Sequence, residues 1–211
     1  MDTVRPIERG RHRRWESWSE WARAHGAALL MPLVRLAGRL GIHPNTLTIL
    51  GMMLQIGVGV VFGLGHITLG GLLLLIVGPV DALDGLLARA LNKQSVFGSF
   101  LDSTMDRISD AAVILGLTAH YLRQGASVQV WLLLIALVAT MMVSYIRARA
   151  EAVGLECKVG SLTRLERVLL IGVLSALGLP VVMAWTLAVF SVFTVIQRIV
   201  HVYLISLQRE P

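Results

Sequence analysis

The sequence predicts an all-α integral membrane protein, six transmembrane helices preceded by an N-terminal amphipathic interfacial helix. Three observations carry that prediction. Of the 211 residues, 55% are hydrophobic and only 15% charged, whereas soluble domains average about 25% charged. Six apolar runs are separated by short polar breaks, and a run of about 20 residues at 1.5 Å each crosses a hydrocarbon core of roughly 30 Å. The net charge is +6, and eight of the nineteen Lys and Arg fall in residues 1–44. That excess suits nucleic acid or an anionic bilayer surface. The apolar remainder selects the lipid bilayer as partner and leaves no nucleic-acid role.

The elements follow in order. Residues 1–14 are polar and rich in arginine. Trp15, Trp18, Trp21 and Ala22 recur at helical spacing in residues 15–40, and indoles prefer the headgroup layer, so this segment reads as a helix lying on the membrane. The first forty residues show no apolar core followed by a small-residue cleavage site, so no cleaved leader is expected. Pro44 fits a first helical turn, where its missing N–H does no harm. The spans are expected at 45–64, 67–91, 97–122, 127–152, 162–178 and 181–206. Gly65-His66, Asn92–Ser95, Arg123–Ser127, residues 153–161 and Gly178-Leu179-Pro180 punctuate them.

Charge placement sets the orientation. One side carries the N-terminal arm, Lys93, Arg147, Arg149, Lys158, Arg164, Arg167 and Arg209, and the other little beyond Arg123. The basic side is expected to be cytoplasmic, with both termini on it, in a multi-pass protein of the cell (plasma) membrane. The single Cys157 forms no intrachain disulfide and lies in a polar loop.

Against this background the stretch Asp81–Asp106 stands out. With Asp110 it holds five of the thirteen acidic residues in thirty positions. Ionisable groups at membrane depth cost roughly 2.5–3.5 kcal/mol each on insertion scales. Asp81 and Asp84 are i, i+3 near the end of one span; Asp102 and Asp106 are i, i+4 near the start of the next, so the four can share a pocket near one interface. Oxygen-only donors suit Mg²⁺ or Mn²⁺, one or two ions, or Ca²⁺, rather than zinc. Gly85 and Gly98 either admit a ligand to the backbone or permit close helix packing. Arg89 is placed to meet a phosphate or an aspartate. Asp110, one turn past Asp106, is expected to pair with Arg107.

The pattern Asp81-x2-Asp84-Gly85-x2-Ala88-Arg89-x8-Gly98-x3-Asp102-x3-Asp106 resembles, at eight fixed positions, the signature of the CDP-alcohol phosphotransferases. That resemblance implies a phosphatidyltransferase in which Asp81, Asp84, Asp102 and Asp106 hold divalent metal on the pyrophosphate of CDP-diacylglycerol. It implies that Asp106 is the base toward the acceptor hydroxyl and that Gly85, Ala88 and Gly98 border the cytidine. Asn45 and Thr48, near a Pro-Asn-Thr feature the family shares, are candidates for the nucleotide phosphates, with helix capping as the competing role. The domain reading is then a basic arm and juxtamembrane amphipathic helix over 1–44 and a six-helix transmembrane catalytic domain over 45–211. The resemblance also suggests a homodimer.

A second constellation bears on the acceptor. Ser144 and Arg147 share one helix face, Arg164 and Arg167 another, and Arg198 sits in the last apolar run. Clustered guanidinium groups match phosphate bidentately; anchoring plus pairing with Glu151 and Glu166 is the other reading, and it is preferred for Arg149. This set is similar to that of the family's phosphatidylinositol phosphate synthases, although Leu165 stands where proline is frequent. The expected acceptor is inositol 1-phosphate, with glycerol 3-phosphate second. A cation transporter is the alternative of another class, and it predicts carboxylates at mid-bilayer with access from both faces.

Overall fold

The computed structural model describes residues 31–157 and 159–208, the side chains of residues 81 and 82 excepted. The arginine-rich arm, the three tryptophans of the expected interfacial helix, Lys158 and Arg209 lie outside the described residues. What is described is helical: α1 (31–39), α2 (Pro44–Gly63), α3 (Ile67–Val77), α4 (Asp81–Ala90), α5 (Val96–Arg123), α6 (Ser127–Ala152), α7 (Arg164–Ala176) and α8 (Pro180–Leu207).

Local sequence sets these boundaries. Pro44 and Pro180 open α2 and α8 in their first turns. Ser95 caps α5, its hydroxyl oxygen accepting from the Gly98 N–H at 2.9 Å. Thr163 and Glu166 form a capping box at α7, so Glu166 serves its own helix start. The second expected span is not one unbroken helix. A single 3-10 turn, Gly78–Val80, separates α3 from α4, because Pro79 has no N–H for the helical ladder.

Among the described residues, four helical runs are long and apolar enough to cross a membrane: α2, Ile67–Ala90 across the 3-10 turn, α6 and α8. α5 is 28 residues long but carries Asp102, Asp106, Arg107 and Asp110, and α7 has only 13 residues. Large apolar side chains such as Ile76, Trp131 and Phe193 are exposed on the outside, as a lipid-facing surface requires.

The helices close a ring. α2 packs on α5, α5 on α6, α6 on α8, α8 on α7, α7 on α3, and α3 back on α2. Phe62, Leu74, Ile114, Leu117, Leu133, Met183 and Leu187 fill the middle, all essentially inaccessible. Small residues bring the helices close, as in lipid where packing replaces the hydrophobic drive. A Cβ on Gly59 of α2 would stand 2.5 Å from the Ala112 carbonyl oxygen of α5, and one on Gly71 of α3 would stand 2.7 Å from the Gly172 carbonyl oxygen of α7. α4 lies against α2, and Val34 and Ala37 of α1 bury against its Leu83 and Leu87. Two buttresses thus hold α4, the helix that carries the first aspartates. Cys157 lies in the loop after α6 and is completely buried there with Ala150 and Leu155.

Candidate active site

The site starts at the first turn of α2. His43 caps that helix, its Nδ1 accepting from the Asn45 N–H at 3.3 Å, so Asn45 is not the cap. One turn on, the Thr48 hydroxyl donates to Oδ2 of Asp84 on α4, and the Gly85 N–H donates to Oδ1. Both carboxylate oxygens of this buried aspartate are therefore held, the condition under which burying a charge is tolerable.

Beside this pair opens a cavity of about 570 Å³, walled by the start of α2, by α4, by the polar loop 91–95 and by the start of α5. Asn45, Thr48, Asp84, Gly85, Ala88, Arg89, Gly98 and Asp102 all line it. A Cβ on Gly85 would meet nothing nearer than the Arg89 guanidinium at 3.8 Å; the glycine leaves space at the wall and is not required by helix packing. Gly98 is tighter, with the Asn45 side-chain oxygen 3.2 Å from where its Cβ would be. Lys93, Gln94, Ser95 and Ser99 also line the cavity, and sequence reasoning had not singled them out. The signal was a run of four polar residues, Asn92 to Ser95, between two helices that bear the aspartates. The walls carry both signs, Asp84 and Asp102 against Arg89 and Lys93, which suits a polyanion bound together with a cation.

Asp106 does not line this cavity. Its Oδ1 meets Arg164 Nη1 of α7 at 3.0 Å, and Arg164 Nε lies 3.7 Å from Oδ1 of Asp110. Arg167 donates to Oδ2 of Asp110. Asp110 is thus paired with α7 and not with Arg107, whose guanidinium turns back to the Ser103 carbonyl. The expectation failed because spacing along one helix says nothing of a cation brought in by another. Arg164 is a quarter exposed and Arg167 buried.

The remaining acceptor candidates sit around α8. Arg198 is buried, and it donates from Nε to the Val159 carbonyl at 2.9 Å and from Nη1 to the Val143 carbonyl at 2.6 Å. It ties α6, one residue before Ser144, to the loop that leads into α7. Thr194 and Gln197 hold the same loop, through Leu162 N–H at 3.2 Å and Ser161 N–H at 3.1 Å. Arg147 is half exposed and pairs with Glu151 at 2.9 Å.

The donor set can be weighed for a divalent ion. Among the described residues no three His, Cys, Asp or Glu are grouped to hold one; the Asp81 side chain is outside the described residues. Yet Asp84 and Asp102 face one cavity from two helices, with oxygen donors only. That chemistry fits a hard cation such as Mg²⁺ or Mn²⁺.

An interhelical cavity walled by carboxylates and cations has the charge pattern to take a phosphorylated ligand together with a cation. The CDP-alcohol phosphatidyltransferase family model matches residues 41–197, and the chain belongs to that family. It is therefore a transferase of phospholipid synthesis, and the transporter reading falls. The chain is 36% identical over 175 residues to the archaetidylinositol phosphate synthase of Methanothermobacter thermautotrophicus, covering 80% of this chain and 87% of that one. It is 36% identical over 193 residues to the phosphatidylinositol phosphate synthase of Mycobacterium tuberculosis, covering 84% and 87%. A crystal structure of the Mycobacterium tuberculosis phosphatidylinositol phosphate synthase with CDP-DAG bound superposes with a TM-score of 0.75 at 35% identity, over 82% of this chain and 92% of that chain. Another, in complex with manganese and citrate, gives 0.75 at 34%, over 82% and 88%.

Proposed function

We propose that this enzyme transfers the phosphatidyl group of CDP-diacylglycerol to inositol 1-phosphate, releasing CMP and forming phosphatidylinositol phosphate. The observation that carries this reading is the cavity. It gathers six of the signature residues with Asn45 and Thr48 in a chain similar to enzymes named for inositol phosphate and to a structure holding CDP-DAG.

The nucleotide enters this cavity, with Gly85, Ala88 and Gly98 bordering the cytidine and Asn45, Thr48 and Arg89 near the phosphates. The acyl chains stay in the bilayer. Asp81, Asp84, Asp102 and Asp106 would hold one or two Mg²⁺ or Mn²⁺ ions, which supply neutralising charge to the pyrophosphate and the departing phosphate. Asp106 takes the proton of the acceptor hydroxyl. The acceptor oxygen bonds to the β-phosphorus, the bond from that phosphorus to the bridging oxygen breaks, and CMP leaves with the electron pair. Ser144, Arg147, Arg164 and Arg167 meet the acceptor phosphate. Arg198 completes that set, chiefly by fixing Val143 and Val159 around it.

In this reading α5 and α7 complete six spans and the site opens to the cytoplasm. What supports the spans is the closed ring, in which α5 and α7 each pack between two of the apolar runs. A homodimer is the default symmetry.

The test is CMP release by purified protein in lipid nanodiscs containing CDP-diacylglycerol, with inositol 1-phosphate, glycerol 3-phosphate, inositol and serine offered separately. Release with inositol 1-phosphate above the other three supports the reading. Preference for glycerol 3-phosphate changes the acceptor, and no release with any acceptor in the presence of Mg²⁺ or Mn²⁺ ends the proposal. Asp106→Asn is expected to lower kcat by about 10²–10⁴-fold, the usual worth of a positioned base.

A further inference from the structure

Asp110 has no place in the eight-position signature, yet it is the centre of the charge network beside Asp106. Its two oxygens are divided between two arginines, Oδ1 facing Arg164 Nε at 3.7 Å and Oδ2 accepting from Arg167. Arg164 in turn bridges one helical turn of α5, from Asp110 to Asp106 Oδ1 at 3.0 Å. Asp106, Arg164, Asp110 and Arg167 therefore form an alternating row of two negative and two positive charges. Asp110 and Arg167 are its buried end, 10% and 5% exposed at the side chain; Asp106 and Arg164 are its accessible end, both 25% exposed.

The two ends behave differently. At the buried end, neither partner can be withdrawn without leaving an unpaired charge in a low-dielectric interior. At the accessible end, the guanidinium has a ready alternative partner in any arriving phosphate, for which its planar fork is well matched. Arg164 is thus drawn by charge alone to the buried Asp110, at 3.7 Å, and in closer but exchangeable contact with Asp106, at 3.0 Å. While it holds Oδ1 of Asp106, that oxygen is not open to an acceptor hydroxyl.

We propose that Asp110 is a positioning residue for the acceptor. It fastens Arg164 and Arg167 as a pair and keeps Arg164 tethered while the acceptor phosphate takes it over from Asp106. Phosphate capture thereby opens Oδ1 of Asp106 to the hydroxyl whose proton it removes. The consequence is selectivity by exchange: a phosphate-bearing acceptor uncovers the base, and a phosphate-free polyol does not. This inference rests on the acceptor reading above only in requiring a phosphorylated alcohol, whichever one it is.

The experiment is steady-state CMP release by the full-length protein in nanodiscs, for wild type, Asp110→Asn and Asp110→Glu, with acceptor and CDP-diacylglycerol varied in turn. Inositol 1-phosphate and glycerol 3-phosphate serve as acceptors. Asp110→Asn is expected to raise the KM of the phosphorylated acceptor by about ten-fold, the scale of one lost charged hydrogen bond, with the KM of CDP-diacylglycerol unchanged. Asp110→Glu, which keeps the charge but shifts it, is expected to fall between wild type and Asp110→Asn. An unchanged acceptor KM, or equal rises in both KM values, overturns the inference, since a merely structural residue would disturb both substrates alike. If Asp110→Asn fails to fold, Asp110→Glu decides by the same criterion. Wild type active only with glycerol 3-phosphate would sink the inositol reading and leave this test intact on that acceptor. Wild type active on unphosphorylated inositol as well as on inositol 1-phosphate would overturn the exchange itself.

Discussion

The hydroxyl of Thr48 on α2 donates to the Asp84 carboxylate on α4, thirty-six positions further along the sequence. Both side chains are buried, at 7% exposure each. The bond fixes the orientation of an aspartate proposed to hold metal. Thr48→Val keeps the shape and removes the donor, so it is expected to lower stability by about 1.5–3 kcal/mol, read as a fall in Tm in detergent. Thr48→Ser is expected to retain wild-type Tm. A Thr48→Val protein as stable and active as wild type would show that Asp84 does not depend on this donor.

The contact between α2 and α5 sets the width of the cavity, because α2 brings Asn45 and Thr48 while α5 brings Gly98 and Asp102. Gly59 and Ala112 meet where a Cβ on the glycine would be 2.5 Å from a carbonyl oxygen. Gly59→Ala must push the helices apart, at a cost of about 1–3 kcal/mol for overpacking. Expected are a lower Tm and a raised KM for CDP-diacylglycerol. Gly57→Ala, with nothing within 4 Å of its Cβ, is the control and is expected to leave both unchanged.

Chelation is expected to abolish CMP release, and Mg²⁺ or Mn²⁺ to restore it, because the cavity's acidic donors are oxygens of the kind hard cations take. Full activity after exhaustive treatment with EDTA would remove the metal from the mechanism.

Arg198 joins two carbonyls from different elements, Val143 and Val159. Lysine, with one nitrogen, cannot reproduce that bridge. In Arg198→Lys the loop 159–162 is expected to exchange its amide hydrogens faster and the acceptor KM to rise. Gly160→Ala offers an independent check. Gly160 has φ 148°, and a Cβ there would lie 3.3 Å from Arg198 Nε, so it is expected to loosen the same loop. Unchanged hydrogen exchange in both variants would deny Arg198 its clamping role.

Some of the site was legible because its residues lie within one or two helical turns of each other. Asp84, Gly85, Ala88 and Arg89 share α4, Gly98 and Asp102 share α5, and a short polar loop joins them; spacing alone places such residues at similar depth. Helix limits were legible for the same reason, since prolines and caps act locally. The partners of the charges were not. Asp110 is near Arg107 in sequence, but its oxygens belong to Arg164 and Arg167. Arg198 was a lone cation in an apolar run, and the carbonyls that hold it lie 39 and 55 residues away.

The sequence by itself determined a helical membrane protein, the approximate limits of its helices and the spacing of its aspartates, because apolar run length and helical periodicity are properties of contiguous residues. Only the tertiary structure decided that α2 brings Thr48 to Asp84 and that α7 brings Arg164 to Asp106. Those contacts arise where the packing of helices distant in sequence brings their side chains together, and no local pattern records which helices do so.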